Sequence, residues 1–390
     1  MRRWVGQVAA VLGVWALGWT TGCGTFFVYP GSLPGGGGSS TGDYVYVANA
    51  ATGTLVGFSV GTGKLTAVSG SPQSLGFVPT AVAVNPANTI VFVAGNSGIN
   101  GFINLYSIGS GGALSLLNSN NIGVADEVSI DVSPDGQWLV GLDANGTALG
   151  EATVDEYQIT SSTGQLTIGT GGNYPFPSGT PTIVPSGIKF APNGNYVFVS
   201  VGTAGDVEFT FNTNGGALAS NQKITLTTGV SDNALAVSPS SSSTSYLYIA
   251  RSGTGGGVAV YTIGTGGVLA SVTGSPFAAG SQPFSVVVNS AGTDVYVANQ
   301  IDSTISGYSV GSTGALTQLS GSPYTSGSSV DALAVDKSKA YLLAAARNGS
   351  ADLTMYSFDS GVTGKLDFST SALTGAGIEP AGAVAIATTH

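Results

Sequence analysis

Apolar and small residues alternate in short bursts along nearly the whole chain, separated by turns rich in Gly, Asn, Ser and Pro. One burst, YVYVAN at 44–49, returns as IVFVAG from Ile90, WLVGLD from Trp138, YVFVSV from Tyr196, YLYIAR from Tyr246, DVYVAN from Asp294 and AYLLAA from Ala340. Successive starts lie 46, 48, 58, 50, 48 and 46 residues apart, a period typical of blades or solenoid units. The alternation has period two, which predicts strands. In the first unit the runs Tyr44 to Asn49, Thr54 to Val60, the stretch entered through Gly63-Lys64-Leu65, and Ala81 to Val84 give four strands. Beyond the N-terminal leader no segment sustains apolar spacing of three and four, so almost no helix is expected.

The turns explain the punctuation. Ser133-Pro134-Asp135-Gly136 and Ala191-Pro192-Asn193-Gly194 put Pro where φ is preset and Gly where φ must be positive, so each closes a tight hairpin. The two chain ends complement each other. Ala383 to Thr388 (AVAIAT) repeats the inner strand AVAVNP at 81–86 with no YVYVAN after it, and the first YVYVAN has no inner strand before it. Pairing the two would build one blade from both ends and leave no open strand edge. The predicted fold is all-β: a seven-bladed β-propeller with four-stranded blades, closed by the C-terminal inner strand against the first N-terminal strand. Residues 43–390 form it.

The N-terminus reads differently. Arg2 and Arg3 precede an apolar run from Trp4 to Trp19 and then Thr20-Thr21-Gly22-Cys23, the layout of an export signal over residues 1–22. The lone Cys23 directly after Gly resembles the bacterial lipobox, with Thr20 where that pattern prefers Leu; the resemblance implies lipidation of Cys23 and anchoring in the cell envelope, at the outer membrane or cell surface. Residues 23–42, with Pro34-Gly35-Gly36-Gly37-Gly38-Ser39-Ser40, read as a flexible tether. One cysteine allows no intramolecular disulfide. Loss of the signal leaves 8 basic against 20 acidic residues, a formal charge of −12, which disfavours nucleic acid and anionic lipid as partners of the domain itself. Membrane contact is then expected through Cys23 only, and the propeller is expected to be a monomer.

The YVYVAN and VSPDG phrases, with inner strands of the AVAV type, resemble the lactonase-type seven-bladed propellers, which include 6-phosphogluconolactonase-like and YVTN-repeat proteins. The resemblance spans roughly Asp43 to Thr388. It implies hydrolysis of a sugar lactone or related cyclic ester by polar groups at the channel mouth, usually including His, Glu and Arg. Here the sole histidine is His390, the last residue, where a chain end is ordinarily mobile. The alternative is a non-catalytic envelope propeller that binds a protein, glycan or metal ligand.

Candidate chemistry lies in residues that break the repeat. Two G-x-S-x-G matches, at 57–61 and 307–311, occupy equivalent blade positions and lack the strand-to-helix elbow and partner His of an esterase. Gly63-Lys64 and Gly364-Lys365 lack the helix of a phosphate loop. The mature chain has two arginines, Arg251 and Arg347, both read as following the second strand of their blade where Asn49 and Asn299 stand in others. They are candidates to hold a carboxylate, phosphate or oxyanion, or else to pair with neighbours such as Asp352. Asp126, Glu127, Asp232, Asp331 and Glu379 precede or open inner strands, and of these Glu127, Asp232, Asp331 and Glu379 are candidate bases. Close carboxylates raise one another's pKa, which suits general acid/base work with no cofactor, or with a divalent cation. The third unit is the longest, with Asp143 to Gly146, Glu151 to Asp155 and Tyr174 to Pro177 read as lengthened loops over the channel.

Overall fold

The computed structural model describes residues 42–123, 125–144, 151–160, 163–169, 172–175, 182–239, 244–375 and 382–390. The leader, Cys23, the tether up to residue 41, and Glu379 therefore lie outside the described residues. The described chain folds into seven antiparallel sheets of four or five strands, one per blade, with two short 3-10 turns and no α-helix among the described residues. In blade 2, for example, the inner strand Val78–Val84 pairs with Ile90–Ser97, then Asn100–Ile108, then the outer strand Leu114–Asn121. The ring closes as the pattern predicts. Ala383–Thr388 pairs antiparallel with Tyr44–Asn49, in register Val45 opposite Thr388 and Asn49 opposite Ala383.

Repeated turn chemistry sets the hairpins between inner and second strands. Gly136 and Gly194 both sit at φ 72°, where a Cβ is strained. Ser133 Oγ accepts from Trp138 N at 2.9 Å, and Asn85 Oδ1 accepts from Thr89 N and Ile90 N, so side chains complete turns that the backbone alone leaves open.

The core lies between blades. Seven apolar clusters fill the seven junctions. Tyr46, Phe92, Phe198, Tyr248 and Tyr296, which recur at one position of the second strand, are each buried in such a junction. A second aromatic column runs through the third strands, where Phe58, Tyr106, Tyr157, Phe209, Tyr261, Tyr308 and Tyr356 stand opposite an aliphatic residue of the second strand.

Two local expectations change. Glu151 to Asp155 is not loop: Glu151–Thr160 is the third strand of blade 3, with Asp143 opposite Thr153, because Thr153, Val154, Tyr157 and Ile159 are strong β-formers despite the interspersed acids. Gly172–Pro175 likewise pairs with that strand, which overturns the loop expected from Tyr174. The second strand of blade 7 starts at Tyr341, not Ala340, so Ala346 matches Asn49 and Arg347 lies one position later. Arg251, by contrast, occupies the Asn49 position inside its strand. The two arginines are therefore not equivalent.

Candidate functional site

Strand direction sorts the candidates by face. Inner strands start, second strands end and third strands start on one side of the ring, called here the upper face; the hairpins containing Gly136 and Gly194 lie on the lower face. Glu127 opens its inner strand and is paired across to Asp143, the last residue of the second strand. Asp232 is the third residue of its inner strand and is paired across to Arg251, two residues before the second strand ends, and Asp331 sits in the bulge that follows Val330. These positions put the carboxyls near the upper face but turn them into the blade junctions, where Glu127 and Asp232 are fully buried and Asp331 nearly so.

At the junction of blades 4 and 5, Arg251 grips Asp232 with both arms of its fork, Nε to Oδ1 at 2.6 Å and Nη2 to Oδ2 at 2.7 Å. Asp206, the first residue of the third strand of blade 4, is buried beside this pair, and neither of its oxygens meets a nitrogen or hydroxyl donor. Burial, then the charge and hydrogen bond of Asp232, push the Asp206 carboxyl well above its usual range, against the opposing pull of Arg251. Asp206 is thus a buried acid beside an acid, with the Arg251 fork already taken by Asp232.

The junction of blades 2 and 3 holds a carboxyl cluster with no basic residue among its hydrogen-bond partners. Tyr157 donates to Glu127 Oε1 at 2.7 Å. Glu127 Oε2 has no amide or hydroxyl donor, and the Asp155 carboxyl is its acidic neighbour. Burial first and then the Asp155 charge raise Glu127 well above the ordinary carboxyl range; Asp155 is also raised, by burial and by Asp143. Asp143 accepts from Asp126 N at 2.9 Å, and Asp126 accepts from Asn96 of blade 2 at 2.7 Å. Gly141 makes room for this cluster: a Cβ there would lie 2.3 Å from the Glu127 carboxyl.

The third group is the most open. Arg347 Nε donates to Asp331 Oδ2 at 2.7 Å, Gln300 of blade 6 donates to Asp331 Oδ1 at 2.6 Å, and the arginine side chain is 51% exposed. Where blades 7 and 1 meet, Asp352 is buried and bound by Thr374 N, Thr374 Oγ1 and Asn49, so it is not the partner of either arginine. His390 lies on the lower face, away from all these groups. Its backbone exchanges two hydrogen bonds with Asn88 and its ring nitrogen reaches Val84 O, so the last residue is anchored and not loose.

The structure thus gathers the described candidates into separate pairs at separate junctions. Among the described residues no three Asp, Glu, His or Cys side chains are grouped to hold a metal ion. Sequence reasoning missed Asp206, Asp155 and Tyr157 as site residues. Tyr157 looks like any member of its aromatic column until its hydroxyl partner is seen; the signal within reach was Gly141, which replaces the Val of YVYVAN and IVFVAG.

Comparison with known proteins places this arrangement. No curated protein sequence matches the chain. Among solved structures, the chain is similar to a putative 6-phosphogluconolactonase from Bacteroides uniformis (TM-score 0.73, 15% identity, covering 89% of this chain and 99% of that one). It is also similar to a putative 6-phosphogluconolactonase from Bacteroides fragilis (0.72, 15%, 90% and 99%) and to a periplasmic gluconolactonase from Pseudomonas aeruginosa (0.65, 14%, 89% and 99%). At such identities the likeness is one of fold. A family model described as lactonase, 7-bladed beta-propeller, matches residues 39–331, three quarters of the chain, and spans the blades that carry Glu127, Asp155, Asp206, Asp232 and Arg251. The chain belongs to the seven-bladed β-propeller lactonase family.

Proposed function

We propose that this protein is an exported, lipid-anchored hydrolase that opens a sugar lactone or related cyclic ester on its upper face. The observation that carries the reading is the Glu127–Asp155 carboxyl pair, in which burial and mutual charge push both pKa values up and Asp155 is only part-buried. A carboxylate with a raised pKa is a base suited to neutral pH. Asp155, relayed by Glu127, takes a proton from water. The hydroxide attacks the lactone carbonyl, Arg347 stabilises the oxyanion or holds the acid group of the sugar, and the ring C–O bond breaks as its oxygen recovers the proton. The product is the open hydroxy acid. Asp331 orients Arg347; Arg251 and Asp232 frame the face; Glu379 remains a further candidate base. The reaction needs no cofactor, although a divalent cation near the acids would assist it. Lipidation of Cys23 would hold the domain at the envelope as a monomer.

The test is a panel of sugar lactones, with and without phosphate, followed by acid release with and without chelator. Turnover that falls at least tenfold in both Asp155→Asn and Arg347→Ala, with folding retained, supports the assignment. No turnover on any lactone rejects it and leaves the second reading, a non-catalytic envelope propeller for a protein or glycan. That reading has its own support, because Arg251 and Arg347 are each already bound to a carboxylate of their own blade.

A further inference from the structure

Both ends of the described chain converge on the lower face, at the seam where blade 1 is assembled. Tyr44 N donates to Thr389 Oγ1 at 3.0 Å, Thr389 N donates to Tyr44 O at 3.0 Å, and Val60 N donates to Asp43 O at 2.8 Å. One element reaches across to the neighbouring blade. Asp43, just ahead of the first strand, accepts from Lys337 N at 3.3 Å and Ser338 N at 3.0 Å, in the hairpin of blade 7. The same hairpin carries Asp336, buried and fixed by Tyr341 N and by the Ser338 hydroxyl. The two carboxyls meet on one residue, Asp43 taking the Ser338 N–H and Asp336 the Ser338 hydroxyl, one acid from blade 1 and one from blade 7.

We propose that Asp43 and Asp336 form an acid-operated clasp on the ring: one shared proton ties the N-terminal strand to blade 7, and losing that proton sets two carboxylates against each other across the seam. Two carboxylates in contact cannot both ionise without cost. Burial, and then the hydrogen bond to Asp336, push Asp43 up to about 6; the backbone N–H groups of Ser338 and Lys337 favour the ionised form but are outweighed. The other charged groups about the seam, among the described residues, are Lys337 and Lys339 on the blade 7 hairpin, and His390 with Asp131 and Lys189 near it on the side of blades 2 to 4. Burial lowers the pKa of His390, and Lys337 and Lys189 lower it further while Asp131 acts in the opposite sense.

The sign follows from linkage. A carboxyl raised in the folded state adds stability that is complete below its unfolded value of 3.8 and is lost as pH rises through about 6. The clasp is therefore tight in acid and slack above neutrality. His390 works in the opposite direction, since its protonation in acid opposes the buried neutral ring. The two are separable because they contact different residues.

The experiment compares the full-length chain, purified in mild detergent, with Asp43→Asn and Asp336→Asn. Stability is read by denaturant unfolding from pH 4.5 to 7.5, and hydrogen exchange is followed at Tyr44–Asn49 and Ala383–Thr388, with Tyr196–Ser200 as an internal control. Over this range the folded-to-unfolded ratio of the wild type should fall by up to roughly 25-fold more than that of Asp43→Asn. The extra opening should appear in the seam strands and not in the control. If Asp43→Asn does not fold, Asp336→Asn carries the same comparison. Parallel pH profiles in wild type and the variants, or exchange that rises equally in the control strand, would overturn the clasp.

Discussion

The junctions of blades 2 and 3 and of blades 4 and 5 are built on one plan and end in opposite chemistry. In each, a carboxyl near the start of an inner strand is paired across to a residue near the end of the second strand: Glu127 to Asp143, and Asp232 to Arg251. In each, a second acid approaches from a third strand, Asp155 or Asp206, and the aromatic column supplies a tyrosine, Tyr157 or Tyr261. Two things differ: Asp155 belongs to the same blade as Glu127 while Asp206 belongs to the blade before Asp232, and the residue across the ladder is an acid in one and a base in the other. Arg251 turns Asp232 into a closed ion pair, whereas Asp143 adds a further acidic group beside Glu127. The lesson is that a carboxyl's position in a blade does not assign its role; the partner across the ladder does.

The largest effect should come from removing the cation. Arg251→Ala strands Asp232 and Asp206 in a junction where the arginine side chain is 12% exposed and the aspartate fully buried. Breaking a buried pair from one side costs about 3–5 kcal/mol, so urea unfolding should reveal a loss of that size at pH 7. A loss under about 1 kcal/mol would mean that the two junctions do not differ in the way described.

Next comes Gly141→Val, which restores the residue of the commoner repeat. Its side chain would occupy the space of the Glu127 carboxyl, 2.3 Å from the ideal Cβ. Overpacking of this kind costs about 1–3 kcal/mol. The same Val is present at Val47 in blade 1, where no carboxyl faces it, so calorimetry on this variant tests whether the glycine exists to admit Glu127.

What was legible before the structure follows from range. Strand alternation is local, and the split between AVAIAT and YVYVAN is a direct statement of ring closure, so blade number, strand number and seam could all be read from the chain. The candidate acids Glu127, Asp232 and Asp331 could be placed near one face for the same reason. What each acid meets was not legible, because it depends on registers and bulges. Arg347 and Arg251 both stand near the end of a second strand, but Arg251 lies within its strand and Arg347 one residue past Ala346, and that small offset separates an enclosed arginine from a half-exposed one. Asp155 was read into a loop because its neighbours are charged, and it became a partner of Glu127 only once Gly141 was seen opposite it in the ladder.

Tyr157→Phe should cost less, about 1–2 kcal/mol, since it removes one donor from a buried carboxyl without removing a charge. Its informative readout is pH. Glu127 is raised, so its contribution to stability is complete below the ordinary carboxyl value and is lost as pH rises through the folded value. The tyrosine hydroxyl opposes that rise, and its loss should move the decline to higher pH. Glu127→Gln should abolish it. At the other junction the corresponding variant, Asp206→Asn, should flatten a separate portion of the profile, and the two changes should add, because the sites share no described partner. Non-additivity would show the junctions to be one coupled system.

The smallest stability effect belongs to Arg347→Ala. Its side chain is half exposed, and exposed ion pairs contribute about 0–1 kcal/mol. Asp331 keeps the Gln300 donor, which limits the damage further. The contrast with Arg251→Ala is therefore the sharpest available: nearly unchanged unfolding in one and severe loss in the other, from the same substitution at a salt-bridged arginine near the same face. If Arg347 is the group that holds substrate, the order reverses in a turnover assay, where Arg347→Ala should raise KM or lower kcat at least tenfold at full stability. An arginine that matters to neither measurement would be a solvated loop residue, and Arg347 would then not be the group that steadies the oxyanion in lactone opening.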